Sequence, residues 1–195
     1  MTGEGRGTEP CPGASAPPRG TVPLGLADMP RVDAIWRHPL YRERFERIEA
    51  LERDRAFCRH GLPHLLDVAR IMWISVLEAG RAAELPRDLV YAAALLHDIG
   101  RATQYETGEP HDAAGARIAG EILGTVESGC SFTDAEREML LDAVGAHRDR
   151  APRPGARPLA ELLRAADKAS RPCFACPASR ECNWPEETRN LAVRV

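Results

Sequence analysis

The 195-residue chain lacks the long apolar runs of a membrane-spanning helix, because no run approaches the ~20 residues required. Aromatic residues make up only 5% of the chain, and runs of alternating β-branched residues are missing, so no segment reads as a convincing β-strand. The N-terminal residues contain no continuous apolar core, and we therefore expect no secretory signal. These absences together favour a cytoplasmic protein with no membrane partner.

An excess of one charge sign is also missing, because 26 basic and 29 acidic residues give a net charge of −3. This balance argues against an extended nucleic-acid-binding face, although it allows a local basic pocket. Lysine is almost absent: Lys168 is the only one, and the other basic residues are arginines. Together with the abundance of Ala, Gly and Pro, this pattern indicates a compositional bias of the source genome.

The chain length predicts one domain, which can bury roughly 70% of its unfolded surface without disulfide staples. Residues 1–30 hold six Gly and six Pro, and we predict a disordered tail there. The helical domain is predicted at residues 31–171. A cysteine-rich segment, packed on the same domain, is predicted at residues 172–195.

Helical periodicity begins near residue 31 and predicts an all-α bundle of about six helices joined by short loops. Pro63 suits the first turn of a long helix, and Gly80 suits its left-handed stop. Pro86 opens the segment PRDLVYAAALLHDIG, which Gly100 ends. This segment is apolar nearly all round, so its helix should be central.

Three features are predicted in the second half of the bundle. Residues 102–110 are expected to form a turn-rich link. Residues 111–126 are rich in small side chains and should form a helix that packs closely against its neighbours. Thr133 and Glu136 have the spacing of a capping box ahead of the fifth helix.

Titratable residues lie on the apolar stripes of these helices. His64 shares the stripe of Val68 and Met72; it is either a satisfied core histidine or a metal ligand. His97 and Asp98 end the central apolar helix, where a carboxylate buried without a partner costs several kcal/mol. Asp98 therefore meets a cation or strong donors, unless it is a helix-end carboxylate that reaches an arginine.

The same pattern recurs on three other helices. Asp167 lies on the apolar face of the last helix, either in a buried salt bridge or as a ligand. His147 lies on the apolar side of the fifth helix, and His111 opens the fourth, where an exposed position beside the cap is the ordinary interpretation. Each residue has a structural explanation when taken alone, but their joint occurrence favours a shared centre.

Imidazole and carboxylate ligands together suit iron, manganese, zinc and similar divalent metals, with magnesium a further possibility. Six protein ligands exceed what one catalytic metal takes, because such an ion keeps a position open for water. A bundle core with ligands from facing helices is a common way to build a dinuclear site. The expected cofactors are therefore divalent metal ions, two in number.

The order His64, then His97-Asp98 in LLHDIGR, then Asp167 in AADK resembles the HD superfamily of metal-dependent phosphohydrolases. The resemblance covers roughly residues 56–170, and HDAAGARIA and AVGAHR are similar to the extra histidine motifs of its dinuclear members. The helical arrangement of this chain is similar to that of HD-type diadenosine tetraphosphate hydrolases. The chain lacks the extended motif of HD-GYP phosphodiesterases, and it lacks the synthetase half of the stringent-response enzymes. The resemblance implies an all-α fold and this set of metal ligands: His64, His97, Asp98, His111, His147 and Asp167.

The resemblance also implies the chemistry. Asp98 would bridge two metals, and a metal-activated hydroxide would attack phosphorus in a phosphoester or phosphoanhydride of a nucleotide or related small metabolite. Arg101, Arg148 and Lys168 are the candidate substrate-binding cations, and Asp98, Lys168 and Arg101 the candidate catalytic residues; each cation alone could equally serve solubility. Two rival hypotheses are a catalytically inactive metal- or nucleotide-binding sensor and a cysteine-centred redox or metal sensor.

The second signal is a group of three cysteines in the spacing C-x2-C-x5-C: Cys173, Cys176 and Cys182. C-x2-C spacing lets two thiolates hold one metal, and Cys58 is the natural fourth ligand of a tetrahedral site. We expect a structural zinc ion or an iron–sulfur cluster there. Idle reduced thiols and a redox pair are the alternatives, and His60 is either part of this site or a partner of the first one.

Overall fold

The computed structural model describes residues 28–149 and 157–193, and these residues contain eight α-helices and no β-strand. The all-α prediction is confirmed. The tail predicted at residues 1–30 lies outside the described residues up to residue 27. The helices are α1 (Pro30–Arg37), α2 (Pro39–Leu51), α3 (Leu62–Glu78), α4 (Arg87–Leu96), α5 (Arg101–Thr107), α6 (His111–Thr125), α7 (Asp134–Ala146) and α8 (Pro158–Ala169).

Two short helices account for the difference from the expected six. The first helical stretch divides at His38, whose ψ of 128° is extended because Pro39 disfavours the helical conformation in the residue before it. Helix α5 occupies most of the expected turn-rich link, so that prediction was wrong for residues 102–107. The turn-forming residues are confined to its end, where Gly108 adopts a left-handed φ of 82°.

Helix α4 forms the centre of the core, as its sequence predicts. Every residue from Leu89 to Leu96 except Tyr91 is at most 5% exposed. Helices α1, α3, α7 and α8 all pack against it. Tyr41 of α2 adds a buried hydrogen bond, because its hydroxyl donates to the carbonyl oxygen of Leu95 at 3.1 Å. The C-terminal end of α4 is therefore enclosed by other helices.

A tight turn follows α4, and α6 packs closely against this turn. At Gly100, a Cβ atom would stand 2.2 Å from the carbonyl oxygen of His111 and 2.5 Å from the amide nitrogen of Gly115. Only glycine permits this approach of two backbones. Gly115 has a similar role towards α7, since its Cβ would lie 3.2 Å from Val144 Cγ1. The close packing expected of the small-residue helix is thus confirmed.

The predicted helix ends are also confirmed. Gly80 follows α3 with a left-handed φ of 66°, and Thr133 with Glu136 forms a reciprocal capping box at the start of α7. After α8, the helical structure of residues 172–193 is limited to two one-turn 3₁₀ helices, Cys173–Ala175 and Glu186–Thr188. None of the helices in the described ranges is both long and apolar enough to span a bilayer.

The Gly100→Ala substitution should push α6 away from the turn after α4, because the new methyl group would overlap backbone atoms that no side-chain rotation can move. We expect the free energy of unfolding to fall by about 2–3 kcal/mol, as measured by urea denaturation. Gly120→Ala on α6 is the matched control: its Cβ meets only Leu141 side-chain atoms at 3.8 Å or more, so stability should be unchanged or up to about 1 kcal/mol higher. Equal stabilities of the two variants would contradict the close approach.

Candidate metal centre

Six side chains converge where α4 ends: three lie on helices α3, α6 and α8, and three lie directly after α4 or α7. They form two groups, in each of which the potential ligand atoms lie within 4.8 Å of one another, and the two groups share Asp98. All six residues are those that the sequence singles out as metal ligands. The first group is His64, His97, Asp98 and Asp167; the second is Asp98, His111 and His147.

The first group surrounds one oxygen of the Asp98 carboxylate. Asp98 Oδ2 lies 3.0 Å from His97 Nε2 and 3.4 Å from His64 Nε2. Asp167 Oδ1 lies 3.3 Å from His64 Nε2 and 3.8 Å from His97 Nε2. His64 comes from the first turn of α3 and Asp167 from the last turn of α8, so the packing of these two helices determines the geometry of this group.

The second group surrounds the other oxygen. Asp98 Oδ1 lies 3.4 Å from His111 Nε2 and 3.9 Å from His147 Nε2, and the two imidazole nitrogens are 3.0 Å apart. His111 is the first residue of α6, and His147 directly follows α7. Contrary to the ordinary interpretation of a residue at a helix start, His111 is fully buried. The two oxygens of Asp98 thus face different groups, as a carboxylate that bridges two ions would.

The tautomers of the four histidines are set by acceptors on the far side of each ring. His97 Nδ1 donates to the carbonyl oxygen of Ala94 and His147 Nδ1 to that of Val144, both at 2.7 Å. His111 Nδ1 donates to the Gln104 side-chain oxygen. The remaining ring nitrogen, Nε2, is then a lone pair available to an ion.

His64 follows the same rule through Ser170. The Ser170 hydroxyl donates to the carbonyl oxygen of Asp167 at 2.7 Å, so it accepts from His64 Nδ1, which lies 3.1 Å away. Four Nε2 lone pairs therefore point into one buried space.

Arg171 donates to the lone pair of His64, but the Nε2 lone pairs of His97, His111 and His147 meet no donor among the described residues. His64 Nε2 lies 3.3 Å from His97 Nε2, and two acceptors cannot hydrogen bond to each other. Asp98 Oδ2 is buried and, among the described residues, has no hydrogen-bond partner. Because unpaired polar atoms are costly inside a protein, the donor set fits divalent cations, which accept nitrogen and oxygen ligands of this kind.

The electrostatics of the space favour positive charge. Burial raises the pKa of Asp98, but the charges of His97 and Arg101 outweigh this effect and hold that pKa well below its usual value. Burial lowers the pKa of His97, but the carboxylate of Asp98 raises it more. Burial keeps the other pair neutral: the pKa of His147 is lowered, and that of His111 falls to about 2. The neutral imidazoles of His111 and His147 and the ionised Asp98 are thus in the protonation states that metal ligands require, whereas a cation bound to the first group would displace the proton that Asp98 draws to His97.

The predicted cations lie at the rim of this centre. Arg101 donates from Nε to Asp98 Oδ1 at 2.9 Å. Arg148 is exposed, with Nη1 3.6 Å from Asp112 Oδ1, and Lys168 is exposed on the last turn of α8. All three line a cavity of about 660 Å³ whose wall also contains His147 and Asp167. The three cations therefore share one cavity with a residue from each of the two groups.

Arg171 is a component that the sequence interpretation missed. It is 5% exposed, and its Nη2 donates to His64 Nε2 at 2.9 Å and to Asp167 Oδ1 at 3.0 Å. Burial lowers the pKa of its guanidinium, but the carboxylates of Asp167 and Asp98 raise it more, so Arg171 stays charged. Its spacing of four residues from Asp167, just beyond the end of α8, was the available signal.

His60 and Glu52 form a second component, of which the sequence indicated only His60. Both are buried, and His60 Nδ1 pairs with Glu52 Oε1 while the His60 amide donates to Glu52 Oε2 at 2.7 Å. His60 Nε2 then lies 3.9 Å from Asp98 Oδ2. Of the two roles open to His60, the structure supports that of a partner of the His/Asp centre. Glu52 gave no sequence signal, because it ends a helix rich in Arg and Glu.

The four cysteines line the same cavity as the candidate cations. Cys58, Cys173, Cys176 and Cys182 are free thiols of intermediate burial. In the described ranges, the groups with ligand atoms within 4.8 Å of one another are the two His/Asp groups, and the cysteines do not form a third. A metal site formed by these four thiolates therefore stays a prediction.

Comparison with known proteins identifies a family resemblance over most of the folded chain. The model of the HD domain family matches residues 61–171. An uncharacterized protein of Clostridium beijerinckii is 35% identical over 165 residues, which cover 85% of this chain and 99% of that protein. A crystal structure of a predicted HD superfamily hydrolase from an uncultured Thermotogales bacterium matches with a TM-score of 0.54 at 21% identity, covering 82% of this chain and 80% of that one. The match to this crystal structure shows a shared fold and nothing further.

Two ribonucleases Y are more distant relatives. The protein of Oleidesulfovibrio alaskensis is 28% identical over 133 residues, and that of Nitratidesulfovibrio vulgaris is 35% identical over 117 residues. The matched segments cover 68% and 59% of this chain but only 22% and 19% of those proteins. The likeness is thus confined to one part of the ribonucleases.

Glu52→Gln should destabilise the metal-free protein at pH 7 and lose this effect in acid. Burial raises the pKa of Glu52, but the hydrogen bond and charge of His60 and the hydroxyl of Tyr105 lower it to about 2, from an ordinary value of 4.5. Because the folded-state pKa is depressed, the carboxylate stabilises the fold above pH 4.5, and this stabilisation is lost as the pH falls towards 2.

The expected loss in unfolding free energy is about 1–3 kcal/mol at pH 7, and it should shrink at pH 3.5. Urea denaturation at both pH values measures it. Glu46→Gln on the same helix, whose exposed carboxylate pairs with Arg42, is the control and should change stability little. A cost for Glu52→Gln that is the same at both pH values would contradict the assignment.

Proposed function

Because the chain belongs to the HD domain family, we propose that it is a metal-dependent phosphohydrolase. Its substrate is a nucleotide or a related small phosphorylated metabolite, cleaved at a phosphoester or phosphoanhydride bond. Divalent ions at the His/Asp centre would supply an activated water and would stabilise negative charge on the phosphoryl oxygens.

One observation supports this proposal above the others. Both oxygens of the buried Asp98 carboxylate face pairs of imidazole nitrogens whose protons are held on the opposite side of the ring. A structural cluster of polar core residues would pair its donors with its acceptors. Here the Nε2 lone pairs of His97, His111 and His147 face the Asp98 carboxylate and other lone pairs, which is the arrangement expected of ligands for two cations.

The residues of the chain have separable roles in this reaction. Asp98 joins the two ligand groups, and Arg101 holds its orientation through the 2.9 Å hydrogen bond. Arg148 and Lys168 lie at the wall of the 660 Å³ cavity, where they would bind the non-bridging oxygens of a phosphate. The half-buried carboxylate of Asp167 completes the first group from the cavity side.

One observation favours the alternative, a catalytically inactive metal- or nucleotide-binding sensor. The guanidinium of Arg171 already contacts two ligands of the first group. A permanently charged side chain can neutralise these groups in place of an ion. In this reading the chain binds a phosphorylated ligand without turning it over.

Turnover assays separate the two functions. The metal-loaded protein would be tested with Mn²⁺ or Fe²⁺ on dinucleoside polyphosphates and on nucleoside mono- and diphosphates. A short RNA belongs in the panel because two relatives are named ribonuclease Y. Release of phosphate or nucleotide from one of these substrates supports the hydrolase. Binding of a phosphorylated compound with no turnover, at demonstrated metal loading, supports the sensor.

Asp98→Asn should remove two metal equivalents per chain, whereas Asp167→Asn should remove one, because Asp98 belongs to both groups and Asp167 to the first alone. Elemental analysis of protein purified without chelator measures the content. Turnover on the active substrate should fall at least about 10²–10³-fold in both variants.

Asp67→Asn is the matched control for these two variants. Asp67 is also an aspartate on a ligand-bearing helix, but its side chain is 52% exposed and pairs with Arg70. Its metal content and turnover should equal those of the wild type. Unchanged metal content in Asp98→Asn would refute the dinuclear centre.

Lys168→Met should raise KM roughly tenfold with unchanged metal content, because a charge-assisted hydrogen bond to phosphate is worth about 1.5–3 kcal/mol. Lys168 lines the cavity but is not a potential ligand of either group. Lys168→Arg keeps the charge and should retain most of the affinity. Steady-state kinetics on the active substrate measure both, and equal KM values for the two variants would remove Lys168 from the binding site.

A further inference from the structure

The C-terminal segment, residues 172–193, folds onto the domain with almost no apolar core of its own. Ala178 is the single apolar side chain that it buries, whereas Phe174, Trp184 and Leu191 are 38–51% exposed. Its regular structure is limited to two 3₁₀ turns. Chain segments that bury so little apolar surface commonly need a disulfide or a metal to hold them.

Polar contacts to the backbone define the course of this segment. The guanidinium of Arg189 donates to three carbonyl oxygens: those of Trp184 at 2.8 Å, Ser179 at 3.1 Å and Cys182 at 2.7 Å. The Asn190 side-chain amide donates to the carbonyl oxygen of Ala169 at 2.7 Å. These bonds close a loop that turns Cys182 back towards the end of α8.

A buried arginine, Arg171, connects the start of the C-terminal segment to the chain beside Cys58. Arg171 Nη1 donates to the carbonyl oxygen of Arg59 at 3.3 Å. Arg59 directly follows Cys58, and Arg171 lies two residues before Cys173. Two stretches of chain that are more than a hundred residues apart are thus fixed side by side, with a cysteine on each.

The backbone between Cys173 and Cys176 forms a single turn. The amide of Cys176 donates to the carbonyl oxygen of Cys173 at 3.3 Å. C-x2-C on such a turn is the spacing with which two thiolates hold one metal ion. Cys58 and these two cysteines line a second, smaller cavity of about 330 Å³ as well as the large one.

Positive charge surrounds the thiols. Arg55, Arg171 and Arg189 line the large cavity together with all four cysteines. Several thiolates that repel one another at close range are stabilised by a shared cation.

We propose that Cys58, Cys173, Cys176 and Cys182 bind one thiolate-ligated metal centre, distinct from the His/Asp centre, which staples residues 172–193 to the helical domain. Four thiolates form the set that takes a tetrahedral zinc ion or an iron–sulfur cluster. Binding draws the four sulfur atoms together, and the segment can follow because it packs so little apolar surface against the domain. The centre needs no catalytic activity, so it goes beyond the proposed hydrolysis.

The wild-type chain tests this proposal without any substitution. Protein purified anaerobically with a thiol reductant and without chelator is titrated with an organomercurial, while a chromogenic chelator reports released zinc. We expect one equivalent of zinc per chain to be released as four of the six thiols in the chain react with the mercurial. Equimolar iron and sulfide with a broad visible absorption band, bleached by the mercurial, is the result for an iron–sulfur cluster. Either result supports the thiolate centre.

Substitutions assign the ligands. Cys58→Ser and the double variant Cys173→Ser/Cys176→Ser should each lose the mercurial-released metal and keep the ions of the His/Asp centre. Ser179→Ala, between Cys176 and Cys182, is the matched control, because its hydroxyl makes none of the described hydrogen bonds, and it should keep all metals. Far-UV circular dichroism verifies that the helical domain stays folded in each variant.

The two proposals can fail separately. His97→Ala should lose metal from the His/Asp centre and retain the mercurial-released metal. If the mercurial releases no metal from the wild type, or if the purified chain holds no metal because Cys58, Cys173, Cys176 and Cys182 have formed disulfides, the thiolate centre is refuted. Neither outcome bears on turnover at the His/Asp centre.

Discussion

A buried carboxylate at the end of an apolar helix is the constraint on which the rest of this molecule depends. Asp98 is 2% exposed and follows a helix whose inner residues are almost entirely buried. Taking an ionised group out of water costs several kcal/mol unless charges and donors compensate it. Within the protein the compensation comes from Arg101, and the imidazole lone pairs that surround Asp98 add further sites for bound cations.

The fold provides this ring by using helix ends rather than helix middles. His97 and His147 each follow the last turn of a helix and donate from Nδ1 to a carbonyl oxygen three residues earlier. Such carbonyls have no partner within the helix, so the bond satisfies an orphan acceptor and fixes the tautomer at once. The ends of α4 and α7 also carry partial negative charge towards the centre, which favours cations there.

The apolar pattern of the sequence predicted the helices, and it also predicted the six converging side chains. A titratable residue on an apolar stripe must be buried with a partner, and six such residues spread over several helices imply a common partner. The same reasoning missed Glu52 and Arg171, because each lies just beyond the end of a helix, where an apolar stripe no longer predicts burial. Glu52 is buried only because the chain folds back over it and brings His60 against its carboxylate, and no local periodicity records such a long-range contact. Helix α5 was missed because Gly108 and Pro110 dominate a window that is helical up to Thr107.

Arg171 connects the two halves of the cavity in electrostatic terms. Its guanidinium contacts His64 and Asp167 on one side, and the carbonyl oxygen beside Cys58 on the other. A guanidinium donates to the same lone pair of His64 that a metal ion requires, and one lone pair cannot serve both. The net charge of −3 conceals this local excess of positive charge, because six basic residues and only two acidic residues line the cavity. A binding site for anions therefore depends on where the arginines fold, and not on how many the chain contains.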